Sequence, residues 1–437
     1  MKNLKGCTPS VARVPCLIAL LLGSGLCQAA AEAPKAISSA DTAWVLISTV
    51  LVLLMTMPGI ILFYGGMVRT KNALSIVAHT IVGAAVVSLS WVMVGYSFAF
   101  TADTPFIGGL SHAFGEGLLG PQAGASVVAP TIPEAAFLMF HLAFAVVTFA
   151  IILGATAERM RLIVTVLFAA LWSTLVYAPV AHWVWHPQGW LAVMGHMEFA
   201  GGTVVHIASG SSALVAAWVL GPRHGFGREP MAPHNLMVTV LGGGLLWAGW
   251  FGFNAGSALE AGGRAAGALL TTQIGACAGA AAWGACEYLR RRQCGVLGVI
   301  TGALAGLIGI TPASGFVDVG GSIVIGLSAG AVCFLAVMTI KARTGIDDAL
   351  DVFAVHGVGG LVGTMLTPLC AQAAIAPVTA TVWVNTLGGL AVMAYAGLGT
   401  WIILRLIALV TPLRVSAENE RLGLDIVEHG EMLAPNT

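Results

Sequence analysis

The sequence predicts an all-α polytopic membrane protein: an eleven-helix transmembrane bundle with a five-plus-five inverted repeat, after a cleaved signal peptide. Three observations carry this reading. Of 437 residues, 58% are hydrophobic and only 9% charged, with mean hydropathy +0.91. A soluble domain carries roughly 25% charged residues, so this chain cannot cover a water-facing surface. Apolar runs of the length that crosses a bilayer, about 20 residues, recur from end to end. One polar pattern also appears twice, at helix-equivalent positions. The 56 glycines suit helices that pack closely in lipid. A formal net charge of zero offers no attraction to nucleic acid.

Residues 1–31 form the expected signal peptide. Lys2, Lys5 and Arg13 make a positive start, "VPCLIALLLGSGLC" a short apolar core, and "QAAAEA" a small-residue cleavage site. The alternative, an extra span, is opposed by the core's shortness. The spans that follow are expected at 43–68, 75–100, 134–156, 162–183, 200–220, 235–254, 265–289, 296–313, 320–340, 352–371 and 381–410. The Gly-, Pro- and Ala-rich stretch 101–133 reads as a loop, and 411–437 as a polar tail. Arg69, Lys71, Arg159, Arg161, Arg223, Arg228, Arg290, Arg291, Arg292, Lys341 and Arg343 fall in alternate loops, with Arg264 the exception. Basic loops lie on the cytoplasmic side, which puts the mature N-terminus outside and the tail inside. Past the signal, Cys277, Cys286, Cys294, Cys333 and Cys370 lack any metal or haem spacing and read as buried apolar thiols.

The repeat divides the transmembrane domain, 41–410, into halves at about 43–220 and 235–371, with 381–410 as the unpaired helix. "EFAGGTVVHIASG" at 198–210 recurs in pattern as "DALDVFAVHGVGG" at 348–360. Each has an acid, a Val-His ending eight residues later, and glycines. "FYGG" at 63–66 closes the first span as "FNAG" at 253–256 closes the sixth. Halves of five helices have opposite topology, as in inverted-repeat transporters. His206 and His356 are then expected to meet near the midplane.

An ionisable residue inside a span is costly and points to function. Two imidazoles in contact could pass a proton through a dry pore. A metal or bis-histidine haem site is the rival, with His79 and His141 also in spans; a zinc site would want further His or Cys ligands. Glu198 and Asp348 begin the two histidine helices, where an acid caps free N–H groups and suits the helix dipole; an indirect electrostatic role at the pore mouth is the other reading. "FHLAF" puts Phe140 and Phe144 four apart on one face. "WFGFNAGS" supplies Trp250, Phe253 and Ser257, and "HWVWHPQGW" supplies Trp183 and Trp185. These rings read either as interfacial belt and core or as a box for a cation, worth about 2 kcal/mol when desolvated.

"FAGGTVVHI", "PHNL…GWFGFNAGS", "GITPASGF" and "DVFAVHG" together resemble the ammonium transporter (Amt/Rh) family on its bacterial side, over about 41–431. The resemblance implies a trimer of eleven-helix subunits with one pore each, in the bacterial inner membrane, with no cofactor and no enzymatic activity. It implies ammonium recruitment by Trp185, Phe144 and Ser257, a gate of Phe144 and Phe253, and a lumen lined by His206 and His356. Trp250, Thr311, Phe140, Glu198 and Asp348 take supporting positions. The substrate so implied is NH4+, expected to be deprotonated on the way and conducted as ammonia. An ammonium sensor of the same fold is the alternative, and an intramembrane metal or haem protein a third reading. Glu198 departs from the family's usual Asp. His141 stands where Gln is common and, beside Phe140, is expected to face away from Phe144. The tail "ERLGLDIVEHGEM" resembles one that docks a PII-type signalling protein, with Met432 and Leu433 in place of the usual aromatic.

Overall fold

Inside a hydrocarbon slab every backbone N–H and C=O must be paired within the chain, which leaves helices and closed barrels. The computed structural model describes residues 36–120 and 123–433, and among them it contains helices and no β-strand. The expected signal peptide, with Cys7, Cys16 and Cys27, lies outside the described residues.

Among the described residues ten helices are long and apolar enough to span: α1 Ser39–Met67, α2 Thr70–Phe100, α3 Glu134–Thr156, α4 Leu162–Val193, α5 Gly202–Leu220, α6 Leu236–Gly256, α7 Gly263–Arg291, α9 Val319–Thr344, α10 Phe353–Cys370 and α11 Val382–Ala408. The shorter apolar helix α8, Val296–Ile310, lies between α7 and α9. A helix is thus present at each of the eleven expected positions, ten of them long enough to span, with ends shifted by a few residues. Side chains set several starts: Ser38, Asn235, Asp318 and Thr381 each accept a backbone N–H of the following first turn. The α4 helix proper stops at Trp185, and a turn leads to the short segment Trp190–Val193.

α3 is apolar all round and almost wholly buried, which makes it the centre of the bundle. α7, α8 and α9 meet at glycines: a Cβ on Gly279 would stand 2.6 Å from Gly306 Cα. Backbone contact of this kind is what small residues permit in membranes. Five wide turns of π-helix interrupt the spans, at Met55–Ile60, Trp91–Gly95, Ser173–Tyr177, Gly202–Ile207 and Phe353–Gly357. Such turns often mark functional positions.

The basic loops gather on one face and are mostly paired there. Glu158 accepts from Arg69 N (2.9 Å) and Nε (2.6 Å), and Lys341 pairs with Asp351 at 2.9 Å. Asp347, buried, takes the Arg223 guanidinium at 2.8 and 2.9 Å and its backbone N–H at 2.9 Å. Burial alone would raise the Asp347 pKa, but the Arg223 hydrogen bonds and the charges of Arg223 and Arg159 hold it below the usual carboxylate range. Arg264, the exception on the opposite face, is taken up by packing: its guanidinium lies 5.1 Å and 5.2 Å from the Phe199 and Phe316 rings.

Two expectations change. The tail is not simply a polar extension: it folds as α12 Ala417–Leu422 and α13 Leu424–His429 against the basic face. Lys71 Nζ donates to the Glu420 and Arg421 carbonyls, and Glu420 holds Arg414 and the His224 N–H. Asp425 caps α2 from a distance, accepting from Leu74 N (3.1 Å) and Ser75 N (2.7 Å). The charged residues that made this stretch look solvated are consumed by the loops beneath it. Asp425→Ala is expected to cost about 1 kcal/mol and to raise amide exchange across 411–433. Unchanged exchange there would show that the cap does not hold the tail. The cysteines also differ: all five are free, but only Cys333 is buried, while Cys277 and Cys294 are exposed. α7 turns Cys277 outward and Cys294 lies in the loop between α7 and α8, which spacing in the sequence does not show.

Candidate functional site

The two histidine helices begin alike. Glu198 Oε1 accepts from Thr203 N at 2.9 Å, and Asp348 Oδ2 accepts from Phe353 N at 2.7 Å. In both, the acid reaches five residues ahead, and the histidine follows eight residues after the acid, inside a π-helical turn. Capping is therefore the local role of both acids, with Glu in the Glu198 position serving as Asp does at Asp348. Burial pushes the Glu198 carboxyl up to about 7, against the N–H bonds of Thr203 and Val204. Burial, then the charge of Asp351, raises Asp348 to about 6.

Glycines let the helices meet. Gly201 enters α5 at φ +135°, a conformation L side chains rarely adopt. A Cβ on Gly210 would stand 2.5 Å from Gly357 Cα, so α5 and α10 touch backbone to backbone beside the histidines. The result is the expected encounter: His206 Nδ1 lies 3.2 Å from His356 Nδ1. Because two facing ring nitrogens share one hydrogen, one donates and the other accepts. His206 is fully buried, and its Nε2 has no hydrogen-bond partner among the described residues. The Trp250 ring lies over His206 at 5.3 Å, and its Nε1 donates to Thr311 Oγ1 at 2.9 Å. Thr311 thus supports Trp250.

On the side away from the basic face, Phe144 and Phe253 stack at 4.2 Å and 21°, with Phe253 5.8 Å from His206. Both rings are buried and in stacking contact, so a solute passes only when they move. Beyond them lies a cavity of about 80 Å³ lined by Phe140, His141, Phe144, Trp185 and Ser257 among others. Phe140 packs 4.8 Å from Phe144, and Trp185 stands edge-on to Phe144 at 5.8 Å. Ser257 Oγ donates to the Phe253 carbonyl at 2.8 Å, which leaves its lone pairs free.

His141 overturns its expectation. Its ring lies 5.3 Å from Trp185 and 5.9 Å from Phe144, inside the cavity wall. Adjacent helix positions differ by about 100°, but here the cavity is broad enough to take both Phe140 and His141.

Past the histidines, a space of about 30 Å³ touches Phe63, Tyr64, Trp250 and His356. It meets a cavity of about 350 Å³ that Asp351, Glu287 and His356 also line, on the basic face. Phe63 and Tyr64 line both, and Tyr64 OH donates to the Ile151 carbonyl at 3.1 Å. Their signal was the "FYGG" motif, read only as a mark of the repeat. Among the described residues no group of three His, Cys, Asp or Glu could hold a metal.

A mostly apolar passage, closed by two rings and lined by paired neutral-capable bases, defines a membrane transporter for a very small solute. The chain belongs to the Ammonium Transporter Family, which it matches over residues 43–434. It is 45% identical to an ammonium transporter of Bacillus subtilis, over 90% of this chain and 97% of that one. It is 41% identical to the ammonium transporter Amt1 of Archaeoglobus fulgidus, over 90% and 99%. Among solved structures, Saccharomyces cerevisiae Mep2 superposes with TM-score 0.81 at 35% identity, covering 87% of this chain and 88% of that one. A protein described as a sensor Amt protein gives 0.82 at 30% identity, covering 89% and 98%. The function is ammonium transport across a membrane, the relatives being transporters rather than enzymes.

Proposed function

We propose that the chain takes up ammonium by recruiting NH4+ at the cavity of Trp185, Phe144 and Ser257, stripping a proton near the Phe144–Phe253 gate, and conducting NH3 past His206 and His356. The observation that carries this is the 3.2 Å contact of the two Nδ1 atoms behind the phenylalanine stack. A bare monovalent ion in such a lumen would cost tens of kcal/mol in the Born limit. Potassium is close to ammonium in size, so size discriminates poorly; only ammonium can become neutral by losing a proton.

The proton travels separately. With His206 Nδ1–H donating to His356 Nδ1, a proton reaching His206 Nε2 drives the shared hydrogen onto His356. His356 then releases its Nε2 proton towards the larger cavity. One proton enters and one leaves, and transport is electrogenic. In proteoliposomes an ammonium pulse is expected to give a current and an equal potassium pulse none. A potassium current of similar size would overturn the discrimination by deprotonation.

The setting follows from the same reading: the bacterial inner membrane, mature N-terminus outside after removal of 1–31, basic face and tail cytoplasmic, subunits in a homotrimer. The matched acid caps and paired π-helical turns support two inverted halves, 43–220 and 235–371, followed by helix 381–410 within a 41–410 transmembrane domain. The folded tail, part of 411–437, supports a regulatory platform for a PII-type protein on that face.

A further inference from the structure

His141 is the one ionisable side chain among the described residues that line the opposite-face cavity, and the mechanism above does not use it. Its Nδ1 lies 3.1 Å from the Phe137 carbonyl oxygen, one helical turn back. A carbonyl only accepts, so Nδ1 carries the hydrogen, and the neutral ring keeps its lone pair on Nε2. Aromatic neighbours fix the ring: Phe137 at 4.2 Å, Phe100 at 4.6 Å and Trp185 at 5.3 Å. Nε2 has no hydrogen-bond partner among the described residues and, unlike His206 Nε2, is not closed off by protein.

The cavity's other polar groups can then be counted against the ligand. Ammonium offers four N–H donors in a tetrahedron. The faces of Phe140, Phe144 and Trp185 attract its charge but provide no lone pair, and the indole N–H is itself a donor. Ser257 Oγ, whose hydrogen goes to Phe253, accepts one N–H. The volume of about 80 Å³ has room for one ion near the size of a water molecule, whose share of the liquid is about 30 Å³. We propose that His141 Nε2 accepts a second N–H of the recruited ammonium, making His141 a substrate-binding and specificity-determining residue. Directional acceptors distinguish a tetrahedral N–H donor from a spherical cation, which aromatic faces alone do not.

The proposal rests on the recruitment reading of this cavity, and the test separates the two. Ammonium chloride pulses on proteoliposomes give the half-saturating concentration for wild type, H141L, H141Q and S257A, with melting temperature as the check on folding. A hydrogen bond to a charged group is worth about 1.5–3 kcal/mol, so H141L is expected to raise half-saturation about tenfold or more. H141Q, which keeps an acceptor, restores it to within about threefold of wild type. Half-saturation unchanged in H141L but raised in S257A overturns the role of His141 and leaves recruitment standing. No change in either overturns both. An equal rise in H141L and H141Q, at wild-type melting temperature, also overturns it, since packing rather than a lone pair would then be at work. If H141L fails to fold, H141Q against H141M makes the same comparison.

Discussion

Replacing His206 and His356 together by leucine is expected to reduce the ammonium-evoked current to that of protein-free liposomes. Leucine keeps an apolar side chain beside Trp250 and Phe253 but removes all four ring nitrogens, and with them any carrier for a proton between the phenylalanine stack and the larger cavity. The single variants test the shared proton. His206→Leu leaves His356 Nδ1 without its 3.2 Å partner, and each single change is expected to lower the current at least tenfold, because relay needs both rings. A current unaltered in the double variant would sink the relay, whatever becomes of net ammonia passage.

The second large effect lies on the basic face, beside the Asp348 cap of the His356 helix. Asp347→Ala is expected to destabilise the protein by about 3 kcal/mol, the low end for breaking a buried pair, because Glu158 Oε1 stays 3.6 Å from Arg223 Nη1. Asp347 holds Arg223 through three hydrogen bonds, and the same segment's backbone carbonyl accepts from Arg159 at 2.6 Å. Both guanidiniums are buried. The pH dependence has a definite sign. The folded-state pKa of Asp347 is lowered, so its contribution is complete above the ordinary aspartate value, about 3.9, and is lost as pH falls through the lower folded value. Thermal unfolding in detergent checks this: wild type loses stability below about pH 4, and the variant shows a smaller acid loss. A drop in the variant of less than about 1 kcal/mol would mean that water or another acid replaces the pair.

Both experiments concern contacts that differ greatly in how far the sequence foretold them. The histidine pair was legible because repetition gave it away: an acid, a histidine eight residues on, and glycines, twice. Trp185, Phe144, Phe253 and Ser257 were legible as a set through motif resemblance, although each ring alone reads equally well as core. The Asp347–Arg223 pair was not legible. Its members lie in loops 124 residues apart, and nothing in either loop specifies the other. His141 was misplaced because a helical wheel assigns one face to one neighbour, whereas a cavity bounded by α3, α4 and α6 receives side chains over a wider arc. The cysteines and the tail failed for a related reason, since exposure depends on which surface the rest of the bundle leaves uncovered.

The sequence by itself determined the all-helical class, the positions of the apolar helices and their approximate ends, and which side chains break the apolar pattern. It could do so because a bilayer imposes a local rule: each crossing must satisfy its own backbone and present about 20 apolar residues to hydrocarbon. Tertiary structure alone decided which polar atoms meet. The π-helical turns that aim His206 at His356, the caps that fix those turns, the ring of His141 in the cavity and the tail's grip on α2 all depend on backbone approach between distant segments. Such approach is governed by packing, which no single segment encodes.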